Sequence, residues 1–195
     1  MEGALSNHRS HEMRKVLLAL TLFVLAVLMI SGGKGWAQSD FKVCESTYAL
    51  CTTAPCVPVD GKDGALSCAC EVKTGYSLGL EPCQSVKETS EGKQVSSRYF
   101  PVKSYAVCSN DRPWAWCLDK PCVIDPSNPT KAACACTTAK NQGPYVIVTD
   151  TLSDSTCTSG IISSATVDQI GQATDFLKSS SKLRPFPIKI LNGTN

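Results

Sequence analysis

Three sets of residues in this chain have types that could do chemistry: twelve cysteines, a tryptophan pair beside an arginine, and a scatter of carboxylates. Cys51 and Cys56, with Cys68 and Cys70, could offer four thiolates to zinc, and the spacing of the first pair is one that zinc sites use. Behind an export signal, however, such cysteines oxidise to bridges. Zinc would also leave Cys44, Cys83, Cys108 and Cys157 without a role. The Cys-Ala-Cys triplets lack the Cys-x-x-Cys spacing and the helix start that lower a thiol's pKa, so a redox role for them is not expected either. The expectation is a disulfide framework that uses Cys44, Cys51, Cys56, Cys68, Cys70, Cys83, Cys108, Cys117, Cys122, Cys134, Cys136 and Cys157, with no metal and no cofactor.

Histidine decides much of what remains. Both histidines, His8 and His11, lie in the N-terminal leader, so the chain beyond it has none. That excludes Ser-His and Cys-His nucleophilic pairs, histidine bases and histidine metal ligands. An enzyme would then need paired carboxylates, as glycosidases use. The acidic residues are dispersed, mostly beside turns or lysines, and no Asp-[Thr/Ser]-Gly triplet occurs. A carboxylate-based secreted hydrolase is therefore the alternative reading, and the leading one is a non-enzymatic exported protein with a binding or cell-envelope structural role.

Trp114 and Trp116 flank Ala115, with Arg112 and Pro113 just before them. On a strand the two indoles share one face. With the guanidinium they could form a shelf for a glycan or a protein partner. The competing reading is that the indoles cover a neighbouring bridge as core. Arg112, Trp114 and Trp116 are the candidate binding surface on the first reading.

These residues sit in a cysteine unit that occurs twice. YALCTTAPCV, ten residues and CAC are matched by WAWCLDKPCV, ten residues and CAC, each cysteine lying 66 positions before its counterpart (Cys51 to Cys117). Identical four-cysteine spacings read as a tandem duplication. Cys44 and Cys108 open the units, and Cys83 and Cys157 close them. The expected organisation is a leader at 1–37, module 1 at 40–84, a polar linker at 85–98, module 2 at 99–157, and a helix and extended tail at 158–195. The fold class is small, disulfide-rich and mainly β, α+β once the helix is included. Six cysteines per module allow fifteen connectivities each, and exchange of bridges between modules is the alternative to pairing within them.

Short strands are expected at Ala65 to Lys73, Lys131 to Thr138 and Tyr145 to Thr149. Asp60 to Gly64 and Asp125 to Pro129 are turn sequences in matching slots. Thr166 and Gln169 make a capping box, followed by apolar residues at helical spacing, which predicts a helix near 166–178. Asn192-Gly193-Thr194 is a glycosylation sequon in a tail expected to be extended.

The leader has a positive start at Arg14 and Lys15, an apolar run from Val16 to Ile30, and small residues at Gly35 and Ala37. Cleavage is expected after Ala37, giving a periplasmic or extracellular protein. The alternative is an uncleaved anchor at 16–33, the only membrane contact the sequence offers. The whole chain has 19 basic and 17 acidic residues, and the leader holds four and two of them, leaving 15 of each. A neutral chain exerts no long-range pull on nucleic acid or acidic lipid. The partner expected is a protein or glycan, with no nucleic acid.

Overall fold

In the computed structural model, residues 41–99, 104–180 and 189–192 are described. The leader at 1–37, with its apolar run at 16–33, lies outside the described residues, as does 181–188. Ser39–Asn195 forms one compact unit.

The chain is mainly β, with twelve strands and one helix among the described residues. In the N-terminal half, β1 (Lys42–Leu50), β2 (Pro55–Pro58), β3 (Ala65–Gly79), β4 (Lys87–Thr89) and β5 (Gly92–Arg98) follow in order. The C-terminal half contributes β6 (Ser104–Cys108), β7 (Trp114–Trp116), β8 (Pro121–Ile124), β9 (Lys131–Ala139), β10 (Tyr145–Val148) and β11 (Ile161–Ile162). Helix α1 (Val167–Ser179) and β12 (Lys189–Ile190) complete it.

The strands alternate as their sequences dictate. Leu66, Cys68 and Cys70 of β3 point inward while Ala69 and Glu71 are exposed. Cys134 and Cys136 of β9 are buried while Ala133, Ala135 and Thr137 are exposed. The expected turns reverse the chain before each of these strands. Gly61 and Gly64 take positive φ in the first, and Asp125 accepts from the Ser127 backbone and hydroxyl at 2.8 and 2.6 Å in the second. Those donors hold the Asp125 carboxyl below its usual range.

All twelve cysteines pair, and every bridge stays within its half: Cys44–Cys83, Cys51–Cys70 and Cys56–Cys68, then Cys108–Cys157, Cys117–Cys136 and Cys122–Cys134. Two of them join residues directly opposite in adjacent strands, Cys56 with Cys68 and Cys122 with Cys134, at Cα separations of 4.1 and 4.0 Å. The main core cluster is built on eight half-cystines packed with Ala49, Ala54, Leu66, Val95, Ala115 and Ala132. Sulfur and small side chains fill the space that bulky aliphatic residues fill elsewhere. Each bridge adds about 2–4 kcal/mol by restricting the unfolded chain.

Pairing recurs at the same 66-residue step. Tyr48–Lys73 in β1–β3 is matched by Trp114–Ala139 in β7–β9, and Val57–Ser67 in β2–β3 by Val123–Ala133 in β8–β9. The halves then meet along β3 and β9, which run antiparallel with Cys68 opposite Cys134. Because those cysteines hold matching places in the two units, the register is two-fold about that pair. Val95 of β5 pairs with Cys122 of β8, and Ile161 of β11 with Cys56 of β2. Ala49 pairs in parallel with Ser97, and Ala115 with Ser163. Each half therefore lends one strand to the other. Two closed circuits result, β3-β1-β5-β8-β9 and β9-β7-β11-β2-β3, sharing the central seam.

This corrects the expected organisation at 85–98. That stretch is not a spacer between modules 40–84 and 99–157, because it contains β4 and β5, and β5 joins the two halves. Its end is fixed by Arg98, which is 3% exposed. Arg98 Nη1 donates to Asp119 Oδ1 at 2.7 Å and to the Glu81 carbonyl at 3.0 Å, and Nη2 donates to the Lys42 carbonyl at 2.9 Å. Asp119 Oδ2 accepts from the backbone N–H groups of Leu80 and Glu81 at 2.6 and 3.1 Å. A buried charge must be paired and hydrogen-bonded in this way to be tolerated.

The helix forms where expected. Thr166 caps it, accepting from Gln169 N at 3.3 Å, while Gln169 Oε1 accepts from Thr166 N at 2.9 Å. Ile170 anchors it on Tyr105, Val146 and Ala165. Beyond it, β12 lies parallel to β6, and Asn192 of the sequon accepts from Val107 N at 2.8 Å and donates to its carbonyl at 2.7 Å. The amide continues the strand pairing, so this part of the tail covers a sheet edge.

Gly79 supplies a test of the buried pair. A Cβ there would overlap the Arg98 guanidinium and the Asp119 carboxylate, whereas one at Gly171 in α1 meets nothing. Gly79→Ala should lower the unfolding free energy by about 1–3 kcal/mol. Gly171→Ala should raise it by roughly 0.5–1 kcal/mol. Denaturant unfolding of the oxidised protein measures both, and an unchanged midpoint for Gly79→Ala would contradict the packing described.

Candidate functional site

The aromatic residues singled out from the sequence do come together, but not as a shelf. Trp114 is 3% exposed, in the middle of a cluster with Cys108, Tyr145 and Ile147, against Cys157 and Ile162. Its ring stacks on Tyr145 at 6.1 Å between centroids and meets Trp116 edge-on at 6.2 Å. Trp116 is half-buried, and Arg112 is exposed. The insertion carrying Arg112 is tied down by Asn110, whose Nδ2 donates to the Cys157 carbonyl at 3.0 Å. The Asn110 Oδ1 accepts from the Tyr145 hydroxyl at 3.1 Å and from Arg112 N at 3.2 Å. Burial pushes the Tyr145 phenol up, against a smaller opposing pull from Arg112. The cavity beside this cluster is about 10 Å³, less than a ligand needs. Trp114 therefore covers the Cys108–Cys157 bridge. Tyr145 was not singled out as a site residue; its place in the β-prone run YVIVT is the signal that pointed to it.

The sulfur clusters that resemble metal sites are also accounted for. Cys51, Cys122 and Cys134 lie mutually within 4.8 Å, as do Cys56, Cys68 and Cys117. Each set mixes the two halves, and Cys51 Sγ is 3.3 Å from Cys134 Sγ. All six are oxidised, so none offers a thiolate.

Among the described residues no three carboxylates gather into a cluster. Asp119 is saturated by Arg98 and two backbone donors, and Asp125 caps its own turn. Glu71 sits between Lys73 and Lys131 at 2.8 and 3.3 Å, which hold its carboxyl below the usual range. Tyr99, where the halves meet, donates to the Ser164 carbonyl at 3.0 Å, and burial pushes its phenol up to about 12. The cavity it lines is about 20 Å³, the size of one water.

What lies open is the outward face of β2-β3-β9-β8. The inward side chains of these strands are mainly half-cystines, with Leu66, Ala132 and Ile124 among them, and the outward ones at the middle are small. Ala69, Ala133 and Ala135 are exposed, Ser67 and Val123 partly so, and Val57 is 62% exposed. They follow the two-fold register, with Val57 beside Ser67 on one side and Val123 beside Ala133 on the other. Glu71, Lys73 and Lys131 rim one end. Near Pro121 lies a polar groove of about 140 Å³ lined by Gln84, Ser85, Lys87, Gln94, Ser96 and Asp119.

Comparison of the chain with family models, curated proteins and solved structures gives no match.

Truncation separates the two readings of the aromatic residues. Trp114→Ala should cost about 3–5 kcal/mol of stability, as for a buried aromatic. Arg112→Ala should stay within about 0.5 kcal/mol of the parent. Thermal unfolding of the oxidised variants is the measurement, and a Trp114→Ala protein as stable as the parent would restore the shelf.

Proposed function

We propose that this is an exported, non-enzymatic protein that binds a protein partner through the open face of β2-β3-β9-β8. Six bridges in so small a unit favour an oxidising compartment, periplasmic or extracellular. The absence of histidine beyond the leader and the engagement of Asp119 by Arg98 and of Asp125 by its own turn argue against the carboxylate hydrolase.

The observation that carries the reading is Val57, a β-branched residue 62% exposed on β2, at one side of a face whose two middle strands present Ser67, Ala69, Ala133 and Ala135. Inside the rim of Glu71, Lys73 and Lys131 the face carries no side chain larger than valine, so its middle is flat and uncharged. Such a surface complements another protein's apolar patch. Of the two partner classes the sequence suggested, a glycan would want an aromatic platform, and Trp114 and Tyr145 are enclosed. The same recurrence of register supports descent of the two halves from a duplicated unit, with the shared seam fixing the face at its centre.

A photo-crosslinking residue at position 57 of the full chain, irradiated in the cells that make it, tests this. A discrete adduct is expected, lost when Ala69→Glu and Ala135→Glu are added, and absent with the probe at Asp63. Glutamate at exposed positions leaves folding within about 0.5 kcal/mol. No adduct, or one that survives both substitutions, contradicts the reading. An adduct of two copies of this chain replaces the separate partner with self-association.

A further inference from the structure

We infer that Cys44–Cys83 is an exchangeable bridge, attacked at Cys83 by a thiol of the exported compartment, while the other five are structural. The first ground is access. Cys83 is the one exposed cysteine of the twelve; Cys157 is partly covered and the remaining ten are buried. Thiol–disulfide exchange needs in-line approach of a thiolate to one sulfur, so exposure selects both the bridge and the sulfur.

The second ground is the leaving group. Cys44, 2% exposed, receives Arg98 Nη2 at 2.9 Å from its Sγ. Attack on Cys83 expels Cys44 as a thiolate, and exchange is faster when the leaving thiol's pKa is lower. A guanidinium against that sulfur lowers it. Asp119 faces the same guanidinium, but its second oxygen is occupied by Leu80 and Glu81, and Nη2 remains directed at the sulfur. The matching bridge has no such device. Cys108–Cys157 is packed against Trp114 and Tyr145, and the position matching Arg98 is Ser164, whose hydroxyl is spent on the Val146 carbonyl.

The step balances as an ordinary exchange. A thiolate attacks Cys83 Sγ, the Cys44–Cys83 bond breaks, and its electron pair stays on Cys44 beside Arg98. A second thiolate attacks the incoming partner's sulfur in the mixed disulfide and releases the Cys83 thiolate. The bridge gains two electrons and two thiols become one disulfide. Gln84 and Ser85, which follow Cys83 and line the polar groove, are then untethered on one side. This exchange does not depend on the partner proposed for the open face.

The test uses the full oxidised protein titrated with reduced glutathione, then acid-quenched, alkylated and peptide-mapped. Cys44 and Cys83 should be labelled at about tenfold lower glutathione than any other pair, and the trapped adduct should sit on Cys83. Opening of Cys108–Cys157 at the same glutathione, loss of all six bridges together, or an adduct on Cys44 overturns the inference. The double variant Arg98→Met, Asp119→Asn separates the guanidinium's part from mere packing. Loss of a leaving-group effect slows opening about tenfold, and a purely structural role would make the bridge open faster.

Discussion

The antiparallel pairing of β3 with β9, Cys68 against Cys134, is the constraint on which the rest of the molecule depends. With that register set, both Cys-Ala-Cys triplets turn their sulfurs to the same interior, and Cys56 and Cys122 complete a row of four half-cystines across β2, β3, β9 and β8. A one-residue slip at the seam would put the sulfurs of one half on the opposite face from those of the other. The closure of the two circuits follows, because β5 and β11 can each reach a strand of the opposite half only when the seam is in this register.

The two halves fill one scaffold with different chemistry. Around Cys44–Cys83 the chain places a buried ion pair, Arg98 with Asp119. Around Cys108–Cys157 it places stacked aromatics, Trp114 with Tyr145. Asp119 and Thr53 occupy matching turns, both at positive φ, and Thr53 uses its hydroxyl to hold the Val148 carbonyl at 2.9 Å. An ion pair in a low-dielectric slot is costly to disturb on one side only, whereas stacked rings resist through contact area. One bridge is thereby left beside polar groups and an exposed sulfur, and the other is sealed.

Much of the fold was legible where the signal is local. Alternation and the Cys-Ala-Cys spacing marked β3 and β9, Thr166 with Gln169 marked α1, and the turn sequences fell in their slots. β5 was not legible. Its sequence, GKQVSSR, turns one large apolar residue inward, Val95, and its stability comes from two long-range partners and the neutralised Arg98. Composition reads such a strand as a linker, because nothing nearby in sequence reveals that Asp119 will meet Arg98. Trp114 and Trp116 were placed on one face correctly, but whether that face looks in or out depended on Tyr145, thirty residues away. The open face was missed for a related reason: alanine and serine beside cysteines carry no sequence signal, and only the pairing of four strands assembles them.

The central claim, that the halves hold each other through exchanged strands with no bridge between them, is most directly tested by nicking. A site-specific protease sequence is placed between Tyr99 and Ser104 of the full chain, the folded protein is cleaved, and its size is measured in native buffer and in denaturant without reductant. The account predicts one species of unchanged size in native buffer that falls into two fragments in denaturant. Fragments that part in native buffer, or that stay joined in denaturant, would contradict it.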